Sequence, residues 1–271
     1  MTTMNLLFGN WHWNISALII IILLIAFHII TNGYQLRKKS KLFFSGIILF
    51  ILSTFSPLDY LGHNYLFSAH MVEHIILLLV IPPLLLTGTN KEFLEKIFKK
   101  EKYIRLGKII FNPFIAWFLG VGSMWFWHIP SLFRLIKIYS AVHFIQMLSL
   151  IILGLIFIWP VFTPIRFKKI DALQSTLYLF SACVGCTILG ILITFAPAGI
   201  FTIYYTGNNS AVLNLIQNKW GINPETDQQM GGLIMWVPAC FVYLTNIMVT
   251  LYKWYKESEF ESDDKMLLHK G

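Results

Sequence analysis

The chain has 271 residues, of which 56% are hydrophobic and only 13% are charged. These proportions exclude an ordinary soluble domain and predict an all-α, polytopic membrane protein. The net charge of +8 does not indicate a nucleic-acid partner, because the basic residues are concentrated in alternate loops between apolar segments.

Seven apolar segments are predicted to cross the bilayer as helices. Their ranges are 13–30, 42–56, 66–88, 109–127, 141–159, 172–196 and 230–252. The second segment is the shortest of the seven. We therefore predict a seven-helix transmembrane domain over residues 1–256 and a charged cytoplasmic tail over residues 257–271.

The distribution of Lys and Arg predicts the orientation of these helices. Of the 21 basic residues, 18 fall in loops and the tail on one side of the membrane. The other side carries only Arg134, Lys137 and Lys219. Basic loops remain in the cytoplasm, so the N-terminus is expected outside and the C-terminus inside.

The third predicted span carries the most informative polar residues, in its stretch from Ser68 to Gly88. His70, Glu73 and His74 lie in its first turns, where polar groups are costly in hydrocarbon and usually functional. Residues i and i+4 share one helix face, so His70 and His74 could bind one metal ion. Further along, the prolines at 82 and 83 are expected to break the helix.

Other candidate ligands lie at the same, outward end of the predicted spans. His128 ends the fourth span, His143 begins the fifth, and Asp227 and Met230 begin the seventh. Taken alone, His128 could be a hydrogen-bond partner between helices and Met230 a packing residue. As a group, imidazoles with a thioether suit copper, and imidazoles with a carboxylate also suit zinc or iron.

Three cysteines lie near the middle of the membrane, with Cys183 and Cys186 in the sixth span and Cys240 in the seventh. Thiolates favour Cu(I). Cysteine is also a small apolar packing residue. From the sequence we expect these three side chains to pack.

Four motifs give the chain a resemblance to a known family. They are SAHMVEHIILLLVIPPLLLTG in the third span, WHIP after the fourth, His143 in the fifth and DQQMGGLIMWVP in the seventh. In this order they resemble the cytochrome c oxidase assembly factors of the CtaG type. The resemblance implies a multi-pass plasma-membrane protein, not an enzyme, that helps to build the copper centre of a haem-copper oxidase.

The resemblance also implies site residues, a cofactor and partners. Copper would be bound by His70, His74, His128 and His143, with Asp227 and Met230 as further candidates. The implied partners are cytochrome c oxidase subunits and the lipid bilayer, with other copper chaperones as further candidates. Family members commonly have Gln where this chain has Glu73, and a second His where it has Gln146. These departures imply that Glu73 is not an essential catalyst and weaken any fixed scheme of four histidines.

Two other functions fit some of the same residues. His70, Glu73 and His74 form an H-x-x-E-H pattern, which in an intramembrane zinc hydrolase would supply two ligands and a general base, with Asp227 as third ligand. A bis-histidine haem carrier is the other alternative. The copper-handling assembly factor is preferred because neither alternative explains the motif that begins at Asp227.

The predicted orientation can be tested with fusions. A cytoplasmic reporter attached after Lys270 should be active, and one attached before Trp11 should be exposed on the outside of the cell, because positive loops remain in the cytoplasm. An outward location of the C-terminal reporter would contradict the placement of the histidines at the outer face.

Overall fold

The protein is described by a computed structural model over residues 9, 11, 13–32, 40–197, 199–201 and 210–268, with side chains up to residue 256. Within these ranges the chain is helical and has no strand. Of the basic residues counted above, Arg37, Lys38, Lys39 and Lys270 lie outside these ranges.

Thirteen α-helices and two π-helical turns are described. We number the helices α1 Ile15–Asn32, α2 Ser40–Phe55, α3 Pro57–Asn64, α4 Phe67–Ile75, α5 Ile81–Gly88, α6 Lys91–Ile97, α7 Glu101–Ile110, α8 Pro113–Trp127, α9 Pro130–Ile138, α10 Ser140–Phe162, α11 Ala172–Phe195, α12 Ser210–Asn214 and α13 Pro224–Leu268. The π-helical turns are Ile76–Val80, between α4 and α5, and Leu215–Lys219, after α12.

Five stretches of helix in the described chain are long and apolar enough to cross a membrane. Two further pairs qualify if each is counted as one bent span: α2 with α3, bent by 48°, and α7 with α8, bent by 57°. The predicted all-α membrane fold is confirmed, with five to seven candidate spans. The exact count of seven and the orientation stay predictions.

The prolines at 82 and 83 do not break the third span, which runs from Phe67 to Gly88. The prediction of a break was wrong because a wider, π-helical turn precedes the prolines. Proline cannot donate a backbone hydrogen bond, and its ring collides with the carbonyl four residues earlier. The turn Ile76–Val80 is π-helical, and Ile81 N donates to the oxygen of Ile76. Pro82 and Pro83 then occupy the first turn of α5, where proline is tolerated.

Helix α10 lies against this π-helical turn at a glycine. A Cβ atom at Gly154 would lie 2.5 Å from the Leu78 carbonyl oxygen and 2.6 Å from Cγ of Pro82. Leu78 is the residue four before Pro82, so its carbonyl is the one that proline leaves without a helical donor. Only glycine permits so close an approach.

The short helix α3 is held directly against the start of α4. Ser56 accepts a hydrogen bond from Leu58 N, and Pro57 occupies the first position of α3. A Cβ atom at Gly62 would lie 2.9 Å from the backbone nitrogen of His70. The glycine therefore lets α3 approach α4 and brings Asp59 and His63 toward the polar face of the third span.

Helices α11 and α13 pack along each other over much of their length, and α4 packs against α13. Helix α13 continues to Leu268. The predicted tail, residues 257–271, thus begins inside a helix.

Candidate metal centre

Three histidine rings meet at the junction of α4 and α8. The ring centroids of His70 and His74 are 4.4 Å apart, and those of His74 and His128 are 5.2 Å apart. All three side chains are buried. His70 and His74 are one turn apart on α4, and His128 follows the last residue of α8. The structure therefore brings together three of the predicted ligands.

Two carboxylates and a fourth histidine extend this cluster. One ligand atom each from Asp59, Glu73 and His143 lie within 4.8 Å of one another, and all three residues are buried. Oε2 of Glu73 is 3.7 Å from Nδ1 of His70, which links the carboxylates to the three rings. His143 also contacts His63, with ring centroids 5.0 Å apart. We call these residues, with His70, His74 and His128, the histidine–carboxylate cluster.

The hydrogen bonds of His128 indicate which nitrogen can bind a metal. Its Nδ1 is 2.5 Å from the carbonyl oxygen of Met124, which can only accept, so Nδ1 carries the proton. The lone pair is then on Nε2, and this atom is 3.0 Å from the sulfur of Met71. An imidazole and a thioether are thus directed at each other across α8 and α4.

His74 is oriented by Gln146 of α10. The Gln146 side-chain nitrogen is 2.9 Å from Nε2 of His74. Asn and Gln amides can be placed either way round, and with the oxygen toward His74 the ring would donate from Nε2 and free Nδ1 for a metal. Nδ1 of His74 is buried and has no hydrogen-bond partner among the described residues.

Aromatic rings cover the cluster on the side of α9. Phe133 lies 5.8 Å from His70 and 5.6 Å from His128 between ring centroids. Phe201 stacks on Phe67 at 4.6 Å and contacts Phe133 at 5.1 Å. These rings exclude water, which strengthens electrostatic interactions inside the cluster.

A lysine on the same helix, α9, joins the cover to α3. Lys137 Nζ donates to the carbonyl oxygen of Asn64, the last residue of α3, over 3.3 Å. Burial lowers the pKa of Lys137 to about 8. A positive charge at this position is also favourable for the C-terminus of a helix.

The other two predicted ligands are placed differently. Asp227 accepts hydrogen bonds from Phe67 N at 2.6 Å, from Ser68 N at 3.0 Å and from Ser68 Oγ at 2.5 Å. Its carboxylate therefore accepts the hydrogen bonds of the first two backbone N–H groups of α4. Met230 is 37% exposed on α13. A metal-binding role for these two residues stays a prediction.

Comparison with known proteins identifies the family. The family model described as cytochrome c oxidase caa3 assembly factor matches residues 15–257. The chain belongs to this family. No curated protein and no solved structure matches it. The resemblance drawn from the four motifs is thereby confirmed, and the family indicates a role in the assembly of cytochrome c oxidase.

The cluster of this assembly factor fits a metal ion on two grounds. The first is that both carboxylate oxygens of Glu73 are buried and accept no hydrogen bond from the described residues. Leaving such atoms unsatisfied costs about 1–3 kcal/mol each. The second is the donor set: imidazole, carboxylate and thioether groups suit copper, and the first two also suit zinc.

Three residues in or beside the cluster were missed or undervalued in the sequence. Asp59 was not identified, His63 was treated as interfacial, and Met71 drew no comment. Asp59 and His63 are four residues apart after a Ser-Pro helix start, so they share one face of a short helix. That signal could have drawn attention to both. No sequence pattern places this face against α4.

The ligand role of Asp227 can be separated from its structural role. Asp227→Asn replaces a carboxylate oxygen by an amide donor facing Phe67 N or Ser68 N, and should destabilise the protein by about 1–3 kcal/mol. Copper per folded protein should remain that of the wild type. Thermal unfolding in detergent and elemental analysis of the folded fraction measure the two effects. Loss of copper at unchanged stability would instead support the ligand role.

Proposed function

We propose that this assembly factor binds copper as cargo in the histidine–carboxylate cluster and aids formation of the copper centre of a cytochrome c oxidase. The observation that carries the proposal is the mutual contact of His70, His74 and His128 beside two buried carboxylates. The predicted orientation puts this cluster near the outer face, from which an oxidase subunit in the same bilayer or another copper chaperone could exchange the ion.

The donors of the cluster are arranged so that either oxidation state of copper finds suitable ligands. Glu73, Asp59 and His143 supply oxygen and nitrogen donors, which suit Cu(II). Met71 adds a thioether beside Nε2 of His128. Thioether and imidazole suit Cu(I).

The carboxylates also offset the free-energy cost of placing a cation in the membrane. An isolated charge in hydrocarbon is expensive, and buried charges persist when they are paired. Asp59 and Glu73 lie close enough to one another that a cation between them would offset their mutual repulsion.

The haem-carrier alternative fits the geometry poorly. Two axial imidazoles must bind one iron from opposite faces of the porphyrin. His70 and His74 instead lie on the same face of one helix, with ring centroids 4.4 Å apart. His128 packs against His74 at 90°, with no gap of porphyrin thickness between them.

Copper binding can be tested by removing single ligands. His70→Ala and His74→Ala should each abolish most of the bound copper, because each removes one of the two imidazoles that α4 presents to the same ion. The double variant should be scarcely worse than either single variant, since residues that act as a unit are strongly non-additive. Copper per protein after mild purification is the measurement.

A matched control is available in α1. His28 is buried as well, and its Nδ1 lies 3.1 Å from the side-chain nitrogen of Asn32, away from the cluster. His28→Ala should therefore lower stability without changing copper content. Equal copper in the wild type, His70→Ala and His74→Ala would contradict the proposal.

A zinc hydrolase remains the second candidate because Glu73 is buried within reach of His70 and of a possible metal. Glu73→Gln distinguishes the two functions. In the copper-binding function the amide oxygen still serves as a donor and Asp59 still supplies a carboxylate, so oxidase maturation should be nearly unchanged. A general base is typically worth about 10²–10⁴-fold in rate. Loss of oxidase maturation in a stably produced Glu73→Gln variant would favour the hydrolase.

A further inference from the structure

The three cysteines lie together between α11 and α13, remote in sequence from the histidine–carboxylate cluster. Sγ of Cys183 is 2.6 Å from Sγ of Cys240, and Oγ1 of Thr187 is 3.4 Å from the same sulfur. All three cysteines are free thiols. Nonbonded heavy atoms normally pack at about 3.5–4.0 Å. Cys183 and Cys240 thus direct their sulfurs into one small space, which simple packing does not require.

Further sulfur atoms lie beside this pair. Cys186 is three residues after Cys183 on α11, and its Sγ is 3.5 Å from Sδ of Met124 on α8. The hydroxyl of Tyr243 on α13 is 3.3 Å from the same thiol. Cys186 and Met124 are fully buried. Sulfur donors from three helices therefore converge in the middle of the bundle.

The sulfur groups continue toward the histidine–carboxylate cluster. The carbonyl of Met124 accepts the Nδ1 hydrogen bond of His128, and the other nitrogen of that ring faces the sulfur of Met71. A series of soft donors thus leads from Cys183 and Cys240 through Cys186 and Met124 to the cluster.

We propose that Cys183 and Cys240 form a second metal site, in which the two side chains rotate apart from their 2.6 Å contact and bind one Cu(I) ion through both thiolates, with Cys186 as the neighbouring third sulfur. Both thiols lose their protons to solvent, two Cu–S bonds form, and the oxidation states of copper and sulfur do not change. Thiolate ligands select Cu(I). A structural zinc site uses four ligands, and two thiolates alone do not supply them.

The charge balance in this part of the bundle also favours a monovalent ion. Two thiolates with one Cu(I) carry a single net negative charge, whereas two free thiolates carry two. Charged groups are costly in hydrocarbon, so the thiols ionise favourably only when the metal binds. Among the described residues, no Lys, Arg or His forms a hydrogen bond with these sulfurs. The neighbouring hydroxyl groups are those of Tyr243 and Thr187.

The proposal is independent of copper at the histidine–carboxylate cluster, and the experiment distinguishes the two sites. The purified full-length protein is reduced with a phosphine, loaded with Cu(I) without oxygen, and competed with a chromogenic Cu(I) chelator. Cys183→Ser and Cys240→Ser should each lose one equivalent of tightly held Cu(I). The double variant His70→Ala, His74→Ala should keep that equivalent and show copper–sulfur distances by X-ray absorption.

A measurement on the wild-type chain does not depend on the folding of any variant. Cu(I) should protect Cys183 and Cys240 from alkylation by a small membrane-permeant maleimide, as measured by mass spectrometry of each peptide. Zn(II) at the same concentration should not protect them. Equal alkylation with and without Cu(I), or the same Cu(I) stoichiometry in the wild type and both serine variants, would overturn the proposal. So would a Cys183–Cys240 disulfide that persists after reduction of the folded protein.

Discussion

The hydrogen bonds from the start of α4 to Asp227 fix the frame in which the site is built. The Asp227 carboxylate accepts hydrogen bonds from two backbone nitrogens and one hydroxyl, and so joins the first turn of α4 to α13. Charge-assisted hydrogen bonds of this kind are among the stronger polar interactions in proteins. Because His70, Met71, Glu73 and His74 follow within two turns, their positions depend on this anchor.

Three contacts then complete the site around the anchored helix. Gly62 lets α3 lie against the backbone of His70, which places Asp59 beside Glu73. Gln146 of α10 holds His74, and the cap of α8 presents His128 to Met71. The candidate ligands come from four helices, so they meet only when the bundle is assembled. A site built on several helices in this way is rigid and needs little reorganisation to bind a ligand.

The sequence predicted the elements well and their neighbours poorly, for physical reasons. Hydropathy locates membrane helices because the bilayer demands apolar length, and each predicted segment falls on a helix. The pairing of His70 with His74 follows from helical periodicity. By contrast, Asp59 enters the site through a bend between α2 and α3 and a contact at Gly62, which no local pattern specifies. Asp227 illustrates the same limit: a motif marks the residue, and only the fold shows that its carboxylate accepts hydrogen bonds at the start of α4.

The widened turn between α4 and α5 changes which helices the two halves of this span pack against. An additional residue in a helix rotates everything beyond it by about 100°. Accordingly, α4 packs on α3 and α13, whereas α5 packs on α2 and α10. The polar face of α4 has no continuation, since residues 75–86 are all apolar. Along this span the candidate ligands are therefore confined to one end, and copper bound there as proposed would enter and leave at that end.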